Sequence, residues 1–423
     1  MHGHRARVES KQHPFAFRDF RHFWAARLCS TIAQNSMIVI ISWQVYDIAR
    51  KTMGIKEAAL QLGLVGLLQF LPLFALTLIT GWVADRVDRR WISRACIALQ
   101  LVCAGVLACL NSSGNITLPA LFSIAVLLGI GRAFSMPALN ALAPNLVPLA
   151  VLPRAIATNA IAARVGAILG PAAGGYLYAA APSAPYSVSA ALFAVSLFCT
   201  FMIRPVPRTE IDRCRNPWRQ MIEGLAFVRA NRLVLGAISL DLFAVLLGGA
   251  TAMLPVFAYD ILQVGPLGLG HLRAAPAVGA MAVAFWFSWA PLRNGVGEKM
   301  LWSVAMFGVA TIGFGLSRWL PLSLACLVTL GAADMFSVYV RQSLIQLSTP
   351  DAMRGRVGAV STLFISASNE LGEAESGFLA ALIGPVAAVV AGGAGALAVT
   401  LLWARLFPEL RHARTFDVNP SSG

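Results

Sequence analysis

The decapeptide Gly81-Trp82-Val83-Ala84-Asp85-Arg86-Val87-Asp88-Arg89-Arg90 carries five charged side chains in ten positions. Apolar runs flank it on both sides, at 59–83 and 91–111. Coiled as a helix, each run is long enough to cross the roughly 30 Å of hydrocarbon in a bilayer. A short charged joint between two such runs reads as a polar loop at a membrane surface. The same alternation along the whole chain gives twelve spans: 24–48, 59–83, 91–111, 117–140, 155–180, 184–203, 232–258, 267–291, 300–317, 320–345, 356–382 and 385–407. An all-α membrane protein with twelve transmembrane helices is the predicted fold class.

Composition agrees. Of the 423 residues, 58% are hydrophobic and 12% are charged, about half the charged share of a soluble globular protein. Mean hydropathy is +0.71. Soluble enzymes, disulfide-stapled secreted domains and disordered tails are excluded. A net charge of +14 raises the question of nucleic acid. The charges, however, lie at the ends of apolar runs, with no block of five or six like charges and no basic stripe interleaved with aromatics. No nucleic acid partner is expected. The seven cysteines show no CxxC spacing and lie mostly inside apolar runs, so they read as small core side chains and not as metal ligands or disulfides. The first 22 residues are polar and basic and lack the apolar core of a cleavable signal, so the first span is expected to direct insertion.

An even number of spans puts both termini on one side. The loops of that side, 1–23, 84–95, 141–155, 204–232, 291–300, 346–356 and 404–423, hold 24 of the 33 Lys and Arg residues. Opposite loops hold Arg50, Lys51, Lys56 and Arg318. The positive-inside bias makes the termini cytoplasmic. The longest joint, 204–231, separates an N-terminal half (1–203) from a C-terminal half (232–407), with a tail at 408–423. The halves are related in sequence. A shift of 202 pairs Gly129 with Gly331, Arg132 with Asp334, Ser135 with Ser337, Arg154 with Arg356 and Gly170 with Gly372. A shift of 213 pairs Tyr46-Asp47-Ile48 with Tyr259-Asp260-Ile261, and Asp85-Arg86 with Glu298-Lys299. Two similar six-helix halves suit a transporter that rocks about a central site.

The charged joint at 81–90 resembles the GxxxDRxxRR loop signature of the major facilitator superfamily, with Gly81, Asp85, Arg86, Arg89 and Arg90 at its marked positions; Asp88 stands where the general pattern has glycine. The resemblance implies a latch from Asp85 to the start of the eleventh helix, at Arg356. The repeat extends this to a second latch, Glu298 to Arg154. The plainer reading is that these charges only anchor loops. In the fifth span, Gly166-Ala-Ile-Leu-Gly170-Pro171-Ala-Ala-Gly174-Gly175 resembles the superfamily's GxxxGPxxGG signature of proton-linked antiporters, where glycines permit close helix contact and the proline permits bending. Segments 132–148, 241–255 and 368–377 look like the efflux branch of transmembrane secretion effectors that includes the enterobactin exporter.

A charge in mid-span costs about 2.5–3.5 kcal/mol on insertion scales and usually faces a bundle interior or a watery cavity. Arg132, Arg164, Asp241, Asp334, Arg341, Glu370, Glu373 and Glu375 are such residues. Helices 1, 4, 7 and 10 line the cavity in the superfamily, which by resemblance places Arg132, Asp241 and Asp334 there. Arg132 and Asp334, repeat-related and opposite in sign, form a pair across the halves or separate pairs within each half. Glu370 and Glu373 project from one side of their helix, and two close carboxylates raise one another's proton affinity. Asp241, alone in an apolar run, is the other proton carrier expected. Recognition of a cationic substrate, or a bond to backbone or Arg164, is the alternative for these acids. Gln34 and Asn35 are mid-depth polar residues that contact substrate or satisfy backbone.

All six histidines lie outside or at the edges of spans, which removes intramembrane histidine catalysis and HExxH zinc sites. The chain has neither GxSxG nor GxxxxGK[ST]. No cofactor or metal is expected. The reading is a monomeric secondary transporter of a bacterial inner membrane, surrounded by lipid, that exports a small amphipathic or anionic molecule such as a siderophore or drug against protons. Uptake by proton symport and a carboxylate-based membrane enzyme are the alternatives.

Overall fold

The computed structural model describes residues 13–142, 146–148, 151–205, 217–290, 292 and 294–413, except for the side chains of 77–82, 84–86, 136, 137, 140, 141, 153, 217–220, 351, 352 and 366. Among the described residues the twelve long helices are α1 (Arg18–Arg50), α2 (Ile55–Arg86), α3 (Arg89–Ser112), α4 (Leu118–Leu142), α5 (Leu152–Ala180), α6 (Ala184–Phe201), α7 (Arg232–Leu247), α8 (Gly265–Trp289), α9 (Val296–Leu316), α10 (Leu320–Ser348), α11 (Asp351–Ile383) and α12 (Pro385–Leu406). A linker helix, Pro217–Ala230, precedes α7. Among the described residues, eleven helices are apolar and long enough to cross a membrane. The remaining one, α11, matches α1 at 33 residues. Arg354, Arg356, Glu370, Glu373 and Glu375 lower its hydropathy.

Local signals explain the boundaries. Pro at the first turn, where a missing N–H costs nothing, opens α5, α6, α8, α10 and α12. Asn231 caps α7, accepting from the Val234 N–H at 3.2 Å.

The seventh span departs from the continuous 232–258 run. Regular helix ends at Leu247 and is followed by a 3-10 turn (Ala250–Met253), a short helical turn (Leu254–Val256) and a π-helical turn (Phe257–Ile261). Gly248 and Gly249 stand at the break and permit close approach there. A Cβ on Gly248 would lie 2.4 Å from the Phe307 ring, and one on Gly249 would lie 2.5 Å from the Gly372 carbonyl. Apolar periodicity continues through such a break, so it is invisible to a hydropathy reading.

Contacts group the chain into two compact units. The first comprises Met1–Gln44, Leu68–Arg213 and Pro266–Gly270; the second comprises Val45–Leu67, Cys214–Gly265 and His271–Gly423. The second unit therefore includes the end of α1 and the start of α2. There Gly63 and Gly377 bring α2 against α11, since a Cβ on Gly377 would lie 2.3 Å from the Gly63 Cα. In the first unit, Phe20, Phe23, Leu142, Val151 and Ile203 form a core where α1 and α5 begin and α4 and α6 end. In the second, Val228 of the linker helix packs with Val234, Ile238, Ile345, Val357 and Val360, fixing that helix on α7, α10 and α11.

Candidate functional site

Asp241, midway along α7, pairs with Arg341 of α10. The two are 4% and 1% exposed. Asp241 is the one charge inside the apolar run of its own helix, and an arginine from another helix neutralises it. Either charge left unpaired in this surrounding would be strongly destabilising. A cavity with room for about one water lies beside the pair, lined by Asp241, Asp334, Ser337, Val304 and Phe307. The Ser337 hydroxyl is buried and has no hydrogen-bond partner among the described residues. Asp241, Asp334 and Ser337 thus line a single small cavity within the second unit, and the Asp241 carboxylate is paired with Arg341.

The acids of α11 are placed less simply than their spacing implied. Glu370 is buried, at 7% exposure. Glu373 instead forms an ion pair with Arg273 of α8 at 3.2 Å, and Arg273 also donates to the Thr251 carbonyl at 2.8 Å. The mutual repulsion expected of the two glutamates is therefore offset at Glu373 by a cation. Glu375 is half-buried. Toward the start of α11, Arg356 pairs with Glu223 of the linker helix at 2.7 Å. Gly224 fits against the Arg356 carbonyl, with only 2.8 Å for an added Cβ. The side chains of Asp85 and Arg86, and Gly81, lie outside the described residues. Glu298 is exposed in the first turn of α9, and Arg154 is exposed in the first turn of α5.

In the first unit the GxxxGPxxGG segment is a packing face. Added Cβ atoms would lie 2.6 Å from Thr31 Cγ2 at Gly166, 2.7 Å from the Ile32 carbonyl at Gly170 and 2.8 Å from the Ser36 hydroxyl at Gly174, all on α1. At Gly175 the obstacle is the Pro266 carbonyl, 2.6 Å away at the start of α8. Pro171 lies inside α5. Small residues at helical spacing allow this approach. Asn35 donates its amide to the Thr31 carbonyl of its own helix at 2.8 Å, and Gln34 is half-buried. Arg132 of α4 donates to the Gln69 side chain of α2 at 3.3 Å. Arg164 is exposed on α5.

The departure from the loop signature has a structural use. Asp88 is the N-cap of α3: its carboxylate accepts from the Arg90 N–H at 2.9 Å and pairs with the Arg90 guanidinium at 2.6 Å. Arg89 is half-buried beside it. Arg94, one turn on, donates to the Thr200 carbonyl near the end of α6 at 3.0 Å and lies over the Phe201 ring at 4.5 Å. Cations placed there meet the negative end of α6.

Sequence reading missed the roles of Arg341, Arg273 and Gln69. Arg341 carried a signal, since a mid-span arginine requires a partner. Nothing in its spacing named Asp241, because the contact joins helices 100 positions apart.

Comparison with known proteins agrees with this architecture. The transmembrane secretion effector family matches residues 9–422. The enterobactin exporter EntS of Escherichia coli (strain K12) is 28% identical over 412 residues, covering 96% of this chain and 94% of the exporter. Among solved structures, a bacterial homolog of the human lysosomal transporter Spinster superposes with a TM-score of 0.71 at 17% identity, covering 93% of this chain and 98% of that one. A D-xylose-proton symporter superposes with a TM-score of 0.71 at 12% identity, covering 92% and 98%. Match over nearly the whole length, joined to a twelve-helix fold shared with these transporters, makes this chain a member of the transmembrane secretion effector family of the major facilitator superfamily.

Proposed function

We propose that this chain is a proton-coupled exporter of a small amphipathic or anionic molecule, a siderophore in the first instance, working by alternating access in a bacterial inner membrane with both termini cytoplasmic. The observation that carries the coupling is the buried Asp241–Arg341 pair beside Asp334 and a water-sized cavity. A proton bound at Asp241 would release Arg341 from the pair, so proton uptake is linked to the contact between α7 and α10. Water reaching the cavity in one conformation supplies or removes that proton. Glu370, buried on α11, is the second proton site of this reading, and Arg132 with Gln69 offers a cationic donor for an anionic substrate. The substrate class rests on the resemblance to the enterobactin exporter. The latches from Asp85 to Arg356 and from Glu298 to Arg154 belong to the same reading; Glu223 then competes with Asp85 for Arg356.

The test is transport of enterobactin by the purified protein in proteoliposomes under an imposed pH gradient. Antiport predicts accumulation inside vesicles with an acidic lumen, abolished by a protonophore and by the paired change Asp241→Asn with Asp334→Asn. Equal flux with and without a gradient would remove proton coupling, and accumulation driven by an alkaline lumen would indicate symport.

A further inference from the structure

Tyr46-Asp47-Ile48 and Tyr259-Asp260-Ile261 are repeat-related tripeptides, and both lie in the second unit. Their acids are used differently. Asp47 makes an i,i+4 pair with Lys51 at 3.2 Å, with the lysine 65% exposed. Asp260 accepts from the Tyr46 hydroxyl and takes a forked contact from Arg50, Nε at 3.1 Å and a terminal guanidinium nitrogen at 3.0 Å. The other terminal nitrogen of Arg50 donates to the Met53 carbonyl at 2.9 Å. The Tyr46 and Tyr259 rings meet edge to face at 5.7 Å.

The backbone that presents Asp260 is unusual. It is the π-helical turn Phe257–Ile261, followed by Gln263 at φ 53°, a left-handed conformation rare outside glycine. Such turns are uncommon, concentrate at functional sites, and persist where surrounding contacts hold them. Forked guanidinium–carboxylate bonds are among the stronger polar contacts and are geometrically specific.

We propose that Tyr46, Arg50 and Asp260 form an outer latch, which must part before the end of α1 can leave the Phe257–Ile261 turn and open the face opposite the termini. The latch takes its purpose from the transporter reading, but its test measures movement and needs no substrate.

Ala49, adjacent to Arg50, is fully buried, as is Leu107 on α3. Each is changed to cysteine in turn, and labelling by a membrane-impermeant maleimide is followed in intact cells above the labelling of the otherwise unaltered protein. Asp260→Asn or Arg50→Gln is expected to speed labelling at Ala49→Cys by about tenfold, and Tyr46→Phe by about two- to threefold, with Leu107→Cys unchanged. The reversed pair, Arg50→Asp with Asp260→Arg, is expected to slow labelling again relative to either single reversal. Unchanged labelling at Ala49→Cys in both Asp260→Asn and Arg50→Gln would overturn the latch. So would equal acceleration at Leu107→Cys in these variants and in the conservative Tyr46→Phe, because that pattern marks general unfolding.

Discussion

Arg132 on α4 and Asp334 on α10 occupy corresponding places in the internal repeat, and the contacts described for them differ. In the first unit Arg132 meets the neutral amide of Gln69. Nearby helices are joined by glycine faces and by neutral hydrogen bonds such as Tyr186 to Gln44 at 2.8 Å. In the second unit Asp334 lines a cavity with Asp241, and ion pairs join α7 to α10 and α8 to α11. Neutral, tightly fitted contacts suit helices that move together. Buried charges are costly in a membrane and repay that cost where their state changes. Among the described residues, the ion pair whose two members are both under 5% exposed lies in the second unit.

Substitutions sharpen this contrast. The largest effect is expected from Arg341→Met, which leaves Asp241 buried and unpaired and should destabilise the protein by about 3–5 kcal/mol. Adding Asp241→Leu should recover most of that loss, since replacing both partners of a buried pair is often neutral. Thermal unfolding in detergent reads both variants. Full stability of Arg341→Met alone would show that the pair is not sealed from water.

Next comes the packing face of the first unit. Gly170→Ala places a methyl 2.7 Å from the Ile32 carbonyl and should cost about 1–3 kcal/mol. Gly105→Ala, with open space around it, should stabilise by roughly 0.5–1 kcal/mol through lower backbone entropy. Equal effects at the two glycines would contradict the assignment of α5 as a packing face. Asp88→Ala removes the α3 cap and should cost about 1 kcal/mol in the same assay. The smallest effect belongs to Asp47→Asn, within about 0.5 kcal/mol, because its partner is largely in water.

Much of the fold was legible in the sequence. Apolar runs between charged joints located the twelve helices because bilayer thickness fixes helix length and leaves few alternatives. The same rule is silent where a helix changes type without changing polarity, which is why the break at Gly248 and Gly249 escaped it. Candidate residues were legible one at a time: Asp241, Asp334 and Glu370 stand out as charges inside apolar runs. Their partners were not. Arg341 and Arg273 reach their acids through helix packing, which depends on rotation and close approach that spacing along one helix does not encode. Asp88 differs, since a cap is a local arrangement and its carboxylate stands two residues before the amide it accepts.

The central claim is that the buried charges of the second unit couple transport to protons. The most direct test compares enterobactin flux with and without a pH gradient in proteoliposomes of the paired variant Asp241→Leu with Arg341→Met, chosen because it is expected to remain folded. The account predicts that the ratio of driven to undriven flux falls to about one, while the unaltered protein keeps a clear dependence on the gradient. A paired variant that responds to the gradient as strongly as the unaltered protein would contradict it.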